Sequence, residues 1–173
     1  YNQLGSFGWV KRFIWTNGNS WESDFKRNSL GGNNQGWVDT VDLMFYEGHG
    51  WPGGFTFYNG DLTSAEAYRT WGDRDVEWIA LLSCSVLADS NLAAWADTMA
   101  NLHLLMGFKT TAYDVGGFGN TFGYRVGLTG YSWGGTIAGA WWHACDTKQP
   151  SGVVARIIAE EQGHYYYDAA RYQ

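Results

Sequence analysis

Two side chains that can cooperate in covalent catalysis stand at the ends of two apolar runs in this chain. His49 lies between two glycines after the run Val41–Tyr46, and Cys84 follows the run Trp78–Ser83. A thiol beside an imidazole supplies a nucleophile and a general base, which is the minimal machinery of a cysteine hydrolase. His49 and Cys84 are therefore the candidate catalytic residues.

The two apolar runs predict the strands that must position this pair. A strand that is buried on both faces of a parallel sheet reads as a continuous apolar run. Open α/β sheets place their sites at the carboxyl ends of such strands. If the two strands are neighbours and parallel, His49 and Cys84 lie at the same edge of the sheet.

The rest of the pattern alternates strands with helices. Leu92, Trp95, Ala96, Met99 and Leu102 recur at helical spacing, and Asp89 or Ser90 can cap the helix that they predict. The alternation predicts a single α/β domain over residues 1–173, with a mostly parallel central sheet flanked by helices. The other predicted strands are Ser6–Trp15, Phe55–Tyr58, Leu104–Thr111 and Val153–Ala159, and the other predicted helices are Tyr124–Leu128 and Trp133–Cys145, with a glycine-rich loop over Asp114–Gly123.

Composition excludes several classes of protein. Hydrophobic residues make up 45% of the chain and charged residues 16%, which excludes a disordered chain. The net charge of −6 argues against a nucleic-acid partner, and the longest apolar runs are far too short for a membrane span. The glycine pairs near residues 116–119 and 134–135 lack the spacing of nucleotide-binding loops, so no cofactor is expected.

Aromatic and cysteine content leave two questions open. Eleven Trp and eleven Tyr either fill a large core or line a groove or subunit interface, and the second interpretation would allow a homo-oligomer through aromatic surfaces. Cys84 and Cys145 either form a bridge or stay free, and a central-strand position for Cys84 favours the free thiol. Few Lys and many Trp, Gly, Asn and Ser favour a secreted or cell-surface protein. The chain begins at Tyr1, which indicates a removed leader or a chain trimmed from a longer one.

Three sequence blocks together resemble the caspase-like-fold cysteine peptidases, the group of gingipains, legumains, caspases and CHAT domains. Gly48-His49-Gly50 looks like the Gly-His-Gly block of the gingipain branch, and Ser83-Cys84 follows one strand later. Leu102-His103-Leu104-Leu105-Met106-Gly107-Phe108 then resembles the helix-to-strand block that follows the cysteine. The set looks like a bacterial family of this superfamily, and the resemblance covers about residues 8–160.

This resemblance implies a three-layer α/β/α fold and a cysteine peptidase without a cofactor, acting on a peptide or protein substrate. It implies that Cys84 attacks through a thioester, that His49 moves the proton, and that the N–H groups of Gly50 and Cys84 bind the oxyanion. Ser83 and Ser85 depart from the small residue before, and the glycine soon after, the peptidase cysteine. The alternative is a non-catalytic relative that serves as a binding or extracellular assembly module through its aromatic surface.

Three further side chains are candidates for substrate binding. Glu47 directly precedes the Gly-His-Gly block, Trp51 directly follows it, and Asp114 lies in the loop after the strand predicted at Leu104–Thr111. Loops at this edge of a sheet commonly line a pocket. Each residue also has an ordinary interpretation, since a strand-end carboxylate is commonly solvated and a Trp commonly packs into the core. No metal site is predicted.

Overall fold

A five-stranded sheet forms the centre of the protein. The computed structural model describes residues 2–129, 135–161 and 165–172. The order across the sheet is β1-β5-β6-β7-β8, and a second, three-stranded sheet has the order β2-β3-β4. The strands are β1 (Leu43–Glu47), β2 (Gly50–Trp51), β3 (Gly54–Phe57), β4 (Gly60–Thr63), β5 (Trp78–Leu82), β6 (Leu104–Phe108), β7 (Val154–Glu161) and β8 (Tyr165–Tyr172).

The apolar runs before His49 and Cys84 form neighbouring parallel strands. β1 pairs with β5 from Leu43 beside Trp78 to Glu47 beside Leu82. β6 continues the parallel arrangement on the other side of β5. The α/β fold class predicted from the sequence is therefore confirmed, and both catalytic candidates follow strands that end at the same edge.

The sheet becomes antiparallel at β7 because two helices, and not one, connect it to β6. The helices are α1 (Asn2–Gly5), α2 (Leu92–Ala96), α3 (Phe118–Gly127) and α4 (Ile137–Lys148). One crossover helix would return the chain to the starting end of β6, whereas α3 and α4 together bring it back to the edge where β6 ended. β7 accordingly runs antiparallel to β6, with Ala155 beside Phe108, and β8 runs antiparallel to β7.

Apolar side chains of the strands alternate between two cores on opposite faces of the sheet. On one face, Met44 and Tyr46 of β1 pack with the aromatic residues of the small sheet and with Trp95 of α2. On the other face, Leu43 and Phe45 pack towards α3 and α4. Ile137, Ala140, Trp141 and Ala144, the predicted buried face of the last helix, are all buried. None of the helices within the described ranges is long and apolar enough to cross a membrane.

The predicted strand at Ser6–Trp15 is wrong. The chain forms the short helix α1 and a turn, and then runs without regular structure from Trp9 to Thr16. Gly8 has a φ of 88°, a conformation that a strand does not adopt. Contacts between aromatic rings, and not strand pairing, hold the segment: Trp9 contacts Trp78, and Trp15 contacts Trp37.

The predicted helix after Asp89 is shorter than its pattern indicates. A 3-10 turn over Asp89–Asn91 leads into α2, which ends at Ala96. The reason is that another segment takes up the backbone groups beyond this point: the N–H groups of Arg69 and Thr70 donate to the carbonyls of Asp97 and Thr98. Neither Asp89 nor Ser90 caps the helix as predicted. The N-cap positions are Ala88 and Asn91, and neither makes a side-chain cap hydrogen bond.

The glycine-rich loop predicted over Asp114–Gly123 is also shorter, because α3 begins inside it at Phe118. Phe118 and Phe122 are buried against Trp141, so the burial of aromatic rings outweighs the low helix propensity of the glycines. Trp133, the predicted start of the next helix, lies outside the described residues.

We predict that Gly72→Ala destabilises the fold far more than Gly152→Ala. Both glycines have a positive φ, 88° and 90°, so both substitutions add backbone strain of about 1 kcal/mol. A Cβ at Gly72 would in addition overlap the backbone nitrogen of Leu102, whereas a Cβ at Gly152 meets no atom within 4 Å. We expect a total loss above about 3 kcal/mol for Gly72→Ala in urea unfolding. Equal losses would contradict this packing.

Candidate functional site

The strand ends that carry His49 and Cys84 are in direct contact. The N–H of Gly48 donates to the carbonyl of Leu82 at 3.2 Å, which extends the β1–β5 ladder to the residue before His49. A Cβ at Gly50 would overlap the Oγ of Ser83 and lie 3.2 Å from the carbonyl oxygen of Cys84. The prediction that both candidates lie at the carboxyl ends of adjacent parallel strands is therefore confirmed.

Both candidates line one recess at this edge. The recess has a volume of about 320 Å³. It is closed on one side by the end of β1, on the next by the end of β5, and on the third by the loop after β6. Its lining consists of Glu47, Gly48, His49, Leu82, Ser83, Cys84, Ala112, Tyr113 and Asp114.

Cys84 is a free, half-buried thiol, as the sequence predicts. Its Sγ donates to the carbonyl oxygen of Ala112 at 3.2 Å. A carbonyl can accept this bond only from the protonated thiol, so the structure shows the sulfur in a resting orientation. Cys145, in contrast, is fully buried in α4 on one face of the sheet, and burial raises the pKa of its thiol well above the usual value.

The backbone turns sharply directly after Cys84. Ser85 has a φ of 52°, in the left-handed region that residues other than glycine seldom occupy. The N–H of Ser85 donates to the carbonyl of Thr110, and the N–H of Leu87 donates to the carbonyl of Phe108. These bonds to the end of β6 hold the turn, so the strained conformation of Ser85 is compensated by fixed partners.

A buried arginine ties the segment after Cys84 to the sheet. Arg156 of β7 is only 3% exposed, and it donates to the carbonyl of Leu87 at 2.8 Å and to the carboxylate of Asp89 at 2.7 Å. Lys109 forms a second ion pair with Asp89 at 2.7 Å. The hydrogen bonds and charges of Lys109 and Arg156 lower the pKa of Asp89. Asp89, a predicted helix cap, thus anchors the loop that follows Cys84.

A glutamine positions the opposite wall of the recess. The side chain of Gln149, just after α4, accepts from the N–H of Tyr113 and donates to its carbonyl, both at 2.9 Å. Gln149 is 7% exposed, so these two bonds replace water at a buried amide. They fix the loop in which the carbonyl of Ala112 accepts the hydrogen bond from the Cys84 thiol. The sequence analysis missed Gln149 because nothing local marks a bond across 36 residues.

His49 is exposed at the mouth of the recess, and its backbone is held by hydrogen bonds from β1 and β3 residues. The N–H of Thr56 in β3 donates to the His49 carbonyl at 3.0 Å. The hydroxyl of Tyr46 donates to the carbonyl of Thr56 and also lies 3.4 Å from the His49 carbonyl oxygen. Burial raises the pKa of Tyr46 to about 12, so this hydroxyl stays a donor. The imidazole is therefore exposed at the recess on a main chain that is fixed.

Two backbone N–H groups beside Cys84 are available to a ligand. Antiparallel pairs alternate between bonded and non-bonded residues, and His49 bonds to Thr56, so the next pair, Gly50 and Phe55, is non-bonded. The N–H of Gly50 therefore points away from β3. The N–H of Cys84 donates to no acceptor within the described part of the chain. Together they are the predicted oxyanion donors.

Ser83 is a polar group of the recess to which the sequence analysis gave no role. Its side chain is 1% exposed, and its Oγ has no hydrogen-bond partner among the residues that the structure describes. A buried hydroxyl without a partner costs about 1–3 kcal/mol, so this oxygen is positioned for a ligand or a water in the recess. The only available signal was its departure from the residue that precedes the cysteine in the peptidases.

Glu47 and Asp114 form a carboxyl pair at the rim. Burial, and then the hydrogen bond and negative charge of Asp114, raise the pKa of Glu47. Both residues line the recess, as expected for substrate-binding groups. Trp51 does not line it, because its ring folds back over the turn at Gly53 and Gly54. Within the described ranges, no cluster of three or more His, Cys, Asp or Glu could hold a metal ion.

We predict that Asp114→Asn lowers the pKa of Glu47. With its folded-state pKa raised, Glu47 favours the folded state below its ordinary value of 4.5, and this contribution is lost as the pH rises through the raised pKa. Removing the negative charge of Asp114 should therefore reduce the loss of stability between acid and neutral pH. Carboxyl NMR titration and urea midpoints at several pH values check this, with the exposed Asp97→Asn as control. An unchanged Glu47 titration would show that the two carboxyls do not interact.

One comparison with known proteins identifies a family. The model of a family described as a domain of unknown function, DUF6345, matches residues 1–172, which is nearly the whole chain. No curated protein and no solved structure matches the chain.

Proposed function

This chain belongs to the DUF6345 family, and we propose that it is a cysteine hydrolase that cleaves peptides with Cys84 and His49. The observation that carries the proposal is the shared recess, in which a half-buried thiol and an exposed imidazole stand on adjacent parallel strand ends. The carboxyl edge of such strands is where α/β sheets place their chemistry.

The reaction begins when His49 takes the proton of Cys84. The thiolate attacks the substrate carbonyl carbon, and the N–H groups of Gly50 and Cys84 donate to the resulting oxyanion. His49 then gives its proton to the departing amine, and a thioester remains on Cys84. Water, deprotonated by His49, attacks the thioester, releases the carboxylic acid and restores the thiol.

Cys84 must leave its resting bond before this reaction can start. Its proton is directed to the Ala112 carbonyl, so rotation of the Cys84 side chain must bring the sulfur towards His49. A substrate carbonyl that enters between Gly50 and Cys84 would also give the Ser83 hydroxyl a partner that it lacks within the described structure. We infer that substrate binding drives the change.

The alternative function is a non-catalytic binding or assembly module. The specific observation in its favour is the Cys84–Ala112 bond, which stabilises a protonated thiol rather than a nucleophile. Exposed aromatic side chains, among them Trp15 and Trp21, would supply its interaction surface. Secretion or attachment to the cell surface is part of both proposals.

We predict that iodoacetamide alkylates Cys84 much faster than Cys145. Cys84 is half-buried in the recess that His49 also lines, whereas Cys145 is 0% exposed and holds its proton at ordinary pH because burial raises its pKa. Brief treatment followed by peptide mass spectrometry measures the two rates. His49→Ala should slow the labelling of Cys84 and leave that of Cys145 unchanged. Equal slow labelling of both cysteines would speak against an activated thiol.

We predict that Cys84→Ala, Cys84→Ser and His49→Ala each abolish peptide hydrolysis. Residues that act as one unit lose nearly all activity when either is removed, by about 1000-fold or more. The serine variant keeps a donor for the Ala112 carbonyl, so it separates nucleophilicity from local structure. His103→Ala is the matched control, because its imidazole is exposed and pairs with Glu77 at the opposite end of β6. A fluorogenic peptide library and thermal unfolding provide the readouts, with a stability cost of about 1–2 kcal/mol for Cys84→Ala. Activity that survives these changes would place the chemistry elsewhere.

A further inference from the structure

The edge of the sheet next to the recess carries backbone groups that have no strand partner in the described structure. β1 is an end strand, and β5 is its partner within the described sheet. Trp78 donates to the Asp42 carbonyl and Gly48 donates to the Leu82 carbonyl. Because every second residue of a parallel strand bonds to its neighbour, the even-numbered residues of β1 face β5. The N–H and C=O groups of Leu43, Phe45 and Glu47 therefore face outward.

A groove lies along this open edge. The segment Trp9–Thr16, which we call the N-terminal segment, lines one cavity together with β1, and its rings contact Trp78 and Trp37. The cavity lined by the N-terminal segment and β1 has a volume of about 1650 Å³. A strand added to a sheet lies only about 4.8 Å from its neighbour, so an extended chain beside β1 would lie within this cavity.

The walls of the groove favour apolar side chains on the occupant. On one face of β1 the groove is bounded by Phe45 and Phe122, and on the other by Phe25, Tyr46 and Phe57. The N-terminal segment adds Val10, which is 80% exposed, and Ile14, which is 52% exposed. Apolar side chains gathered at one exposed rim are typical of a surface that binds another chain.

The groove opens directly into the recess. Glu47, Gly48, His49 and Asp114 line both cavities. A chain that pairs with β1 therefore passes the His49 imidazole where β1 ends, and from there it can cross the strand ends towards Cys84, one strand spacing further in.

We propose that an extended polypeptide substrate binds by adding a strand to the open edge of β1. The outward N–H and C=O groups of Leu43, Phe45 and Glu47 provide main-chain hydrogen bonds, as in other cases of strand addition. Side chains of the substrate alternate between the two aromatic walls. The proposal rests on the proposed hydrolase function, because it assigns this strand to the substrate of Cys84.

Backbone methylation of the peptide tests the proposal without requiring turnover. A positional-scanning library of acetylated, amidated hexapeptides is screened for binding to the full chain carrying Cys84→Ala. The best binder is then remade with a single N-methyl group at each position in turn. We expect a loss of about tenfold in affinity at every second position, where the N–H bonds to β1, and little loss at the positions between. A flat profile, or no binder, overturns the proposal.

A matched pair of variants tests the edge from the protein side. Leu43→Pro removes an outward N–H at the first residue of an edge strand, where proline is tolerated, and Leu43→Ala removes the same side chain but keeps the N–H. We expect Leu43→Pro to bind the peptide about tenfold more weakly than Leu43→Ala. If Leu43→Pro does not fold, hydrogen exchange decides: the amides of Phe45 and Glu47 should exchange fast in the free protein and slowly with peptide. Protection of both amides in the free protein would mean that the chain covers its own edge and would overturn the proposal.

The two proposals fail separately in these experiments. If N-methylation lowers peptide affinity at every second position but the wild type hydrolyses no peptide, strand addition is supported and the hydrolase proposal is contradicted. Hydrolysis that depends on Cys84, together with a flat methylation profile, would support the hydrolase and contradict strand addition.

Discussion

The register between β1 and β5 is the constraint on which the rest of the structure depends. It sets Glu47 beside Leu82 and so brings the chain after β1 against the chain after β5. A slip of one residue would exchange the two faces of β1 and move Tyr46 out of its aromatic core, so burial on both faces fixes the register. The position of the recess is therefore determined by core packing, and polar residues near Cys84 only adjust its geometry.

The strand pair places Cys84 but does not orient it. Its turn is held by Thr110 beyond β6 and its following loop by Arg156 of β7. Its thiol donates to the carbonyl of Ala112, in the loop after β6, and Gln149, which follows α4, holds this loop. The same β1 that supplies His49 is also the end strand of the described sheet. The groove depends on this position, because a further strand on that side would close it.

The sequence predicted those parts of the fold whose signals are local and strongly apolar. Val41–Tyr46 and Trp78–Ser83 are runs of this kind, and both appear as strands within two residues of their predicted ends. Ser6–Trp15 has similar residues, yet this segment forms a turn and irregular chain, so propensity alone does not make a strand. The helix after Asp89 ends early because Arg69 and Thr70 compete for its carbonyls, which is a contact between distant segments. Likewise, residue type and spacing predicted His49, Cys84 and Asp114 around one edge, whereas the roles of Gln149 and Arg156 arise only from tertiary packing.

The return of the chain by two helices has a consequence for the order in which the protein is made. Cys84 leaves the ribosome before Gln149 and Arg156, which fix the recess around it and follow more than sixty residues later. A nascent chain that ends before α4 lacks both, and the loop carrying Ala112 has nothing to fix it. Because a domain of this size folds as a unit, the thiol acquires its surroundings only after α4 and β7 have been synthesised. The order of these residues along the chain therefore delays the formation of the recess until α4 and β7 are present.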